Sequence, residues 1–283
     1  MKNASLLRPG LLIALAALSL AAFGQTSINL NSIFDAVKGV AKSQQVGSMS
    51  EADEIAAGKE IAAQMLGKYK IVHDEALQRY LNGVGLWVAL QSDRPALPWR
   101  FAAVESNEIN AFAVPGGAVL VTTGMLKLVA NEAELACVFG HEVGHVVRKH
   151  HIALLQKDLL VQSGANLASS VQQGGGASAQ AKQFLISQGS EIFSRSLDRG
   201  SERDADNDGV LLAARAGYDP GACLLFMKRM AGIKQGDNAI AALYKTHPQA
   251  ADRAVDVGAA IESLQGIEPG TGLRPALAVS LRR

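Results

Sequence analysis

The sequence predicts an α+β protein, mainly helical, in which a small antiparallel sheet sits directly ahead of one central helix. Three observations carry this reading. Apolar residues recur at helical spacing over long stretches on either side of residues 99–122; that interval instead holds three short β-rich runs; and Pro115-Gly116-Gly117, between the last two runs, is a strong turn signal. With 283 residues, 48% of them hydrophobic and 19% charged, the chain has the apolar material for a sizeable core and falls in the ordinary globular class.

At the start of the chain, Lys2 and Arg8 form a short basic region around the approach to Leu11–Phe23, an apolar run interrupted only by Ser19, and residues 1–24 contain no acid. This is the pattern of a signal peptide. The run is too short to cross a bilayer core, and Ala22 and Gly24 supply the small residues that a signal peptidase reads, so cleavage is expected before Gln25. No cysteine stands near the end of the run to carry a lipid anchor. Removing residues 1–24 takes away Lys2 and Arg8 and no acid, so the formal net charge goes from +1 to −1. Nothing in that balance favours nucleic acid as a partner. Cys137 and Cys223 are the only thiols; spacing alone does not place their Cα atoms within bonding range, and a disulfide and two buried thiols both fit the sequence.

The elements follow in order. A polar segment over 25–49 leads to Ser50-Glu51-Ala52-Asp53, which opens a helix with acids in its first turn and Ile55, Ala62, Met65 and Leu66 along one face. A second helix starts at Asp74, carries Leu77, Leu81, Val84 and Val88 at helical spacing, and stops before Pro95 and Pro98. Trp99–Val104, Ala111–Val114 and Ala118–Thr122 read as strands. Asn131, with Glu134 three positions on, starts the central helix, and Arg148, Lys149, His150 and His151 gather at its C-terminal end. From Ser163 to Ser190 the composition turns to Gly, Ser, Ala and Gln around Gly174-Gly175-Gly176, which predicts a loop or lid. Helical patterns return near 198–216, ended by Gly217 and Pro220, then near 221–231 and 249–263. No repeat of fixed period follows residue 200. The expected organisation is therefore a signal peptide over 1–24, a polar segment over 25–49, one domain over 50–264 and a tail over 265–283.

The central helix carries the chemistry. His141-Glu142-Val143-Gly144-His145 is an H-E-x-x-H motif. Four residues of α-helix rotate by about 400° and rise about 6 Å, so the two imidazoles leave nearly the same face and can share one metal ion. Composition alone gives roughly 0.006 accidental matches in a chain of this length. A hydrolytic zinc site needs a third protein ligand and an open fourth position, and Glu202 is the candidate. Asp206 lies one helical turn beyond it, placed to accept a hydrogen bond from a ligand histidine's second nitrogen. Read alone, Glu202-Arg203-Asp204-Ala205-Asp206 is a solvated charged face; the H-E-x-x-H changes that reading.

Four separated blocks resemble the M48 family of metallopeptidases, secreted bacterial enzymes related to the Ste24 CAAX proteases. They are Asn110-Ala111-Phe112-Ala113-Val114-Pro115-Gly116-Gly117, the H-E-x-x-H, Glu202-Arg203-Asp204-Ala205-Asp206, and Thr246-His247-Pro248 with Arg253 beyond it. The resemblance implies a zincin-like catalytic domain and one Zn2+ per chain, ligated by His141, His145 and Glu202. It implies Glu142 as general base, Asp206 as the residue orienting a ligand histidine, and places for Asn110, Gly116, Gly117, His247 and Arg253 around a bound peptide. Outside the resemblance, Asn110 ends a turn, His247 caps a loop and Arg253 is a surface charge.

The expected reaction is peptide hydrolysis, with Glu142 taking a proton from water and passing it to the leaving amine. His247 and Arg253 are expected to donate to the oxyanion, a contribution on the order of 3 kcal/mol; in related secreted enzymes the same histidine can instead cap the zinc in a resting state. Ala118–Thr122 is expected to offer an edge to an extended peptide. Expected substrates are unfolded or misfolded cell-envelope proteins in the periplasm, with peripheral association with the envelope membrane or an assembly complex. The competing reading is a latent protease acting as a periplasmic chaperone or adaptor. Related membrane-embedded proteases carry several spanning helices, and some secreted relatives carry a C-terminal repeat domain; neither pattern is found here, which disfavours cleavage of prenylated peptides within a membrane. His73, His150 and His151 have no ligand-spaced partner outside the motif and are expected at the surface or at helix ends.

Overall fold

Capping side chains decide where the first helices begin. In the computed structural model, which describes residues 48–165, 183, 185–187, 191, 195–233, 238–247 and 250–264, the Ser50 hydroxyl accepts from the Asp53 N–H and starts α1 (Glu51–Lys68). Asp74 accepts from the Leu77 N–H and starts α2 (Glu75–Ala89). The expected signal peptide, nearly all of the polar segment over 25–49 and the tail over 265–283 lie outside the described residues.

The sheet has three strands, β1 (Arg100–Val104), β2 (Ala111–Val114) and β3 (Ala118–Thr122), in the order β1-β3-β2. β2 and β3 form the antiparallel hairpin that the turn signal predicts, with Gly116 and Gly117 at positive φ of 81° and 99°. The all-antiparallel expectation is corrected at β1, which pairs with β3 in parallel and makes the sheet mixed. The reason is the connection: residues 105–110 carry the chain past one strand position, a gap of about 10 Å between β1 and β2, and β3 fills it. β3 is therefore central, and the expectation that Ala118–Thr122 offers an open edge is overturned; β1 and β2 are the edges, and among the described residues β2 pairs with β3 alone.

Both faces of the sheet are covered, and the strand period sorts the side chains. Phe101, Ala103, Ala111, Ala113, Val119 and Val121 join a large cluster with α2 and the following helices. Val104, Phe112, Val114 and Leu120 join a smaller one with Ile61 and Met65 of α1.

Thr122 ends β3 and caps a short helix, α3 (Thr123–Leu128), which is followed by the central helix α4 (Glu132–Val147). Asn131 accepts from the Glu134 N–H, and the Glu134 carboxylate reaches back to the Ala130 N–H, so the predicted start of α4 is reproduced. α5 (His150–Ala165) continues after a sharp break at Lys149, whose φ is 57°. Within the Gly- and Ser-rich segment 163–190 the described residues are helical, and Leu185 is buried in the same cluster as Ile61, Ile152 and Leu155, so that position is core rather than loop. The remainder of the chain adds α6 (Arg199–Arg215), capped by Asp198, then α7 (Gly221–Ala231), α8 (Asn238–Thr246) and α9 (Ala250–Ser263).

Two devices hold α4 in place. Against α6 it packs nearly backbone to backbone: a Cβ on Gly140 would stand 2.9 Å from Gly209 Cα, and a Cβ on Gly144 would stand 2.9 Å from Asp208 Cβ. Against α7 it is tied by a disulfide, Cys137–Cys223, with the Cα atoms 5.4 Å apart, which settles the pairing the sequence left open.

Candidate metal centre

α4 presents His141 and His145 from one face, as the spacing predicts, with their Nε2 atoms 2.9 Å apart. The close α4–α6 contact brings Glu202 opposite them: its carboxylate oxygens lie 3.7 Å from His141 Nε2 and 3.6 Å from His145 Nε2. His247, just past α8, adds Nδ1 at 3.4 Å from His141 Nε2 and 2.9 Å from Glu202 Oε1. One atom from each of these four residues lies within 4.8 Å of every other. Tetrahedral bonds of about 2.1 Å put neighbouring donors about 3.4 Å apart, so the spacing fits one metal ion. The chemistry fits as well, because imidazole nitrogens and a carboxylate suit a divalent metal of the zinc type.

Electrostatics keep His145 and Glu202 in the forms that bind metal. Burial lowers the proton affinity of His145, and neighbouring His141 and His247 lower it further, leaving the imidazole neutral. Burial pushes the Glu202 carboxyl upward, but His247, Arg253 and His141 outweigh it and hold the group at about 2. His247 is drawn the other way: burial works against its charge, yet Glu202 and Glu142 raise it.

Each α4 histidine is oriented through its second nitrogen. His141 Nδ1 lies 2.9 Å from Asp206 Oδ1, the partner the sequence predicts. Asp206 in turn accepts two hydrogen bonds from Arg253, at 2.7 and 2.6 Å, and the third arm of that guanidinium reaches Glu202 at 2.8 Å. Arg253 is buried, and its guanidinium bonds Asp206 and Glu202 behind the donors. His145 Nδ1 finds a histidine instead of an acid: His150 Nδ1 lies 2.8 Å away.

That contact corrects the surface reading of His150 and His151. Both begin α5, so the helix-end part of the expectation stands, but both are buried, and burial, followed by His247 and His150, pushes His151 down to about 3. Sequence reasoning missed His150 because it lies five residues beyond His145, outside the i+3 and i+4 neighbours of a continuous helix. The left-handed turn at Lys149 swings it back, and a lysine there gives no warning that glycine would.

Glu142 stands apart from the donor group but next to it, buried, with Oε1 3.8 Å from His247 Nε2. Burial raises its proton affinity, and the charge of nearby His247 offsets only part of that. A narrow crevice lined by Phe112, Ala113, Glu142, His151 and His247 separates it from β2, an edge strand of the sheet.

The remaining predicted residues are not drawn into the centre. Asn110 is buried at the start of β2, where its side chain accepts from the Ala111 N–H and its backbone N–H donates to Thr122 Oγ1. Gly116 and Gly117 form the far turn of the hairpin, packed against Ile55 of α1 and Trp99.

The profile of Peptidase family M48 matches residues 75–260. The chain is 27% identical over 214 residues to the Beta-barrel assembly-enhancing protease of Yersinia pestis, covering 71% of this chain and 42% of that protein. It is 26% identical over 217 residues to the protein of the same name from Escherichia coli (strain K12), covering 74% and 44%. With Mitochondrial metalloendopeptidase OMA1 of Arabidopsis thaliana it shares 30% identity over 185 residues, covering 65% and 36%. It thus spans less than half the length of these curated relatives.

Proposed function

This chain belongs to peptidase family M48, and from that premise we propose that it is a zinc-dependent endopeptidase acting on unfolded or misfolded cell-envelope proteins. The observation that carries the proposal is the donor group of His141, His145, Glu202 and His247 with the carboxylate of Glu142 beside it. A purely structural metal site has no need of that fifth, non-ligating acid.

His141, His145 and Glu202 are the proposed ligands of one zinc ion, with Asp206 and His150 holding the two α4 imidazoles. A bound zinc ion supplies Lewis-acid polarisation of the scissile carbonyl and lowers the pKa of water. Glu142, kept basic by burial, takes a proton at its carboxylate from the attacking water and delivers it to the leaving nitrogen. His247, its charge favoured by Glu202 and Glu142, donates to the developing oxyanion. Arg253 acts through Asp206 and Glu202. The side of β2 away from β3, which has no strand partner among the described residues, gives an extended peptide backbone somewhere to pair, with Asn110, Gly116 and Gly117 shaping the strand that receives it. The domain is proposed to run over 50–264, behind a cleaved signal peptide, in the periplasm. No helix among the described residues is long and apolar enough to cross a membrane. Association with the envelope membrane or an assembly complex belongs to the same proposal.

One observation favours a second reading. His247 Nδ1 lies among the other donors, so this residue can occupy the fourth position and leave a latent protease that serves as a chaperone or adaptor. Residues 25–283 with one equivalent of zinc, assayed on an unfolded protein, separate the readings. Endopeptidase action predicts cleavage that chelator and Glu142→Gln both abolish; undiminished cleavage by Glu142→Gln would refute the mechanism. His247→Ala lowers kcat if the imidazole serves the oxyanion and raises activity if it closes the site.

A further inference from the structure

The first turn of α1 buries a carboxylate that the hydrolytic chemistry does not use. Glu54 has no exposed surface. Arg94 grips both of its oxygens, at 2.9 and 3.0 Å, and the Lys149 ammonium lies 3.1 Å from Oε2. The Gly116 N–H, in the hairpin turn, approaches Oε1 at 3.4 Å. Glu54 and Lys149 line one small cleft together with His145 and His151. This group of charges therefore stands beside a proposed zinc ligand, although Glu54 lies ahead of residues 75–260, the span that the family profile matches.

We infer that Glu54 is a positioning residue of the metal centre: through Lys149 it holds the break between α4 and α5 in the shape that sets His150 against His145 Nδ1. This rests on reading His145 as a zinc ligand, and it extends the centre to the N-terminal helix. Three observations support it. First, Lys149 is the only non-glycine residue with positive φ among the described residues, at 57°. Glycine would take that conformation without strain, so a lysine there implies that the side chain supplies something glycine lacks. What it supplies is an ammonium within reach of Glu54. Second, Arg94 already gives the buried carboxylate a countercharge and two hydrogen bonds. Lys149 is not needed to make the burial of Glu54 tolerable; the strained turn is the partner that gains an anchor. Third, the turn leads straight to the metal centre. The Lys149 carbonyl accepts from the Ala153 N–H in the first turn of α5, and the next residue, His150, places Nδ1 2.8 Å from His145 Nδ1. With His145 Nε2 among the other donors, that contact fixes the rotation of the ring.

The test is zinc affinity of the full chain, measured by competition with a chromophoric chelator. Lys149→Met removes the ammonium and keeps the stem. It should weaken zinc binding about tenfold, the lower end of what losing a group behind a ligand costs. Lys149→Arg restores a cation and should recover most of that loss, and Glu54→Gln should weaken binding as Lys149→Met does. A cycle with His150→Ala separates positioning from a general loss of structure. If the lysine acts through His150, adding Lys149→Met to His150→Ala should change the affinity by less than about twofold. A tenfold loss persisting in the His150→Ala background would overturn the inference, as would parental affinity in Lys149→Met. Where Glu54→Gln fails to fold by circular dichroism, Lys149→Met, whose parent side chain is about a third exposed, decides alone. A metal-free measurement keeps this distinct from the zinc reading. Hydrogen exchange at the Ala153 amide, whose acceptor is the Lys149 carbonyl, should quicken in zinc-free Lys149→Met; unchanged exchange would overturn the tie between Glu54 and the turn. A parent chain that binds no zinc counts against the metal-centre reading, and the exchange rates then decide the tie.

Discussion

The two ends of α4 use similar side chains to opposite effect. At the N-terminal end the acids are satisfied by the protein itself. Glu134 accepts from the Ala130 N–H and from two arms of Arg229, and Glu132 accepts from the hydroxyls of Tyr80 and Tyr218. At the C-terminal end His141, His145, Glu202 and His247 turn their polar atoms towards one another, with His145, Glu202 and His247 buried. A fold selected for stability alone would avoid gathering so many metal-binding groups in one place, because burying polar groups costs free energy wherever they are not fully paired. The rigid end anchors the helix, and that anchoring lets the other end keep its donors poised for a metal.

Variants should split along the same line, with changes at the anchored end moving stability and changes at the site end moving metal affinity. The largest effect is expected from Cys137→Ala combined with Cys223→Ala. The cross-link spans 86 residues, and its loss should lower the unfolding free energy by about 4 kcal/mol, measured by denaturant titration of the metal-free chain. Breaking the Arg229–Glu134 pair by Arg229→Met strands a buried carboxylate. Such losses run at about 3–5 kcal/mol; because Arg229 is about a third exposed, roughly 2 kcal/mol is expected here, with zinc affinity within twofold of the parent.

At the other end, His150→Ala should weaken zinc binding about 10–100-fold in competition with a chromophoric chelator, while the metal-free melting temperature moves little. Parental affinity in that variant would remove His150 from the site and blur the comparison. The smallest effect is expected at the start of α6: Asp198→Ala should cost about 1 kcal/mol at neutral pH. The Ser201 N–H holds the Asp198 carboxyl below its ordinary 3.8. A depressed folded value means the contribution is present above the ordinary range and lost as pH falls through the folded one. The gap between parent and variant should therefore close in acid.

What the sequence made legible was local. Asn131 and Glu134 bracket a helix start within four residues, the H-E-x-x-H sets two imidazoles on one face by helical arithmetic, and Asp206 follows Glu202 by one turn. Contacts that depend on distant pairing stayed hidden. The parallel β1–β3 register is set by which strand fills a gap, and the disulfide by how α7 approaches α4. Arg253 reads as an exposed charge until α9 is laid against α6 and its guanidinium meets Asp206 and Glu202. The short helices α3 and α8 are only 6 and 9 residues long, too few for periodicity to stand out.

Gly140, Gly144 and Gly209 offer the metal centre no charge, no donor and no contact, yet they set how far apart two ligand-bearing helices lie. A single methyl group at Gly140 or Gly144 would meet its neighbour at 2.9 Å, and at Gly209 at 3.1 Å, forcing a shift between α4 and α6. Metal–ligand bonds tolerate only about 0.2 Å. The strictest demand this centre makes on the sequence therefore falls on positions with no side chain to inspect, where one added carbon would prise apart the two helices that carry the coordination sphere.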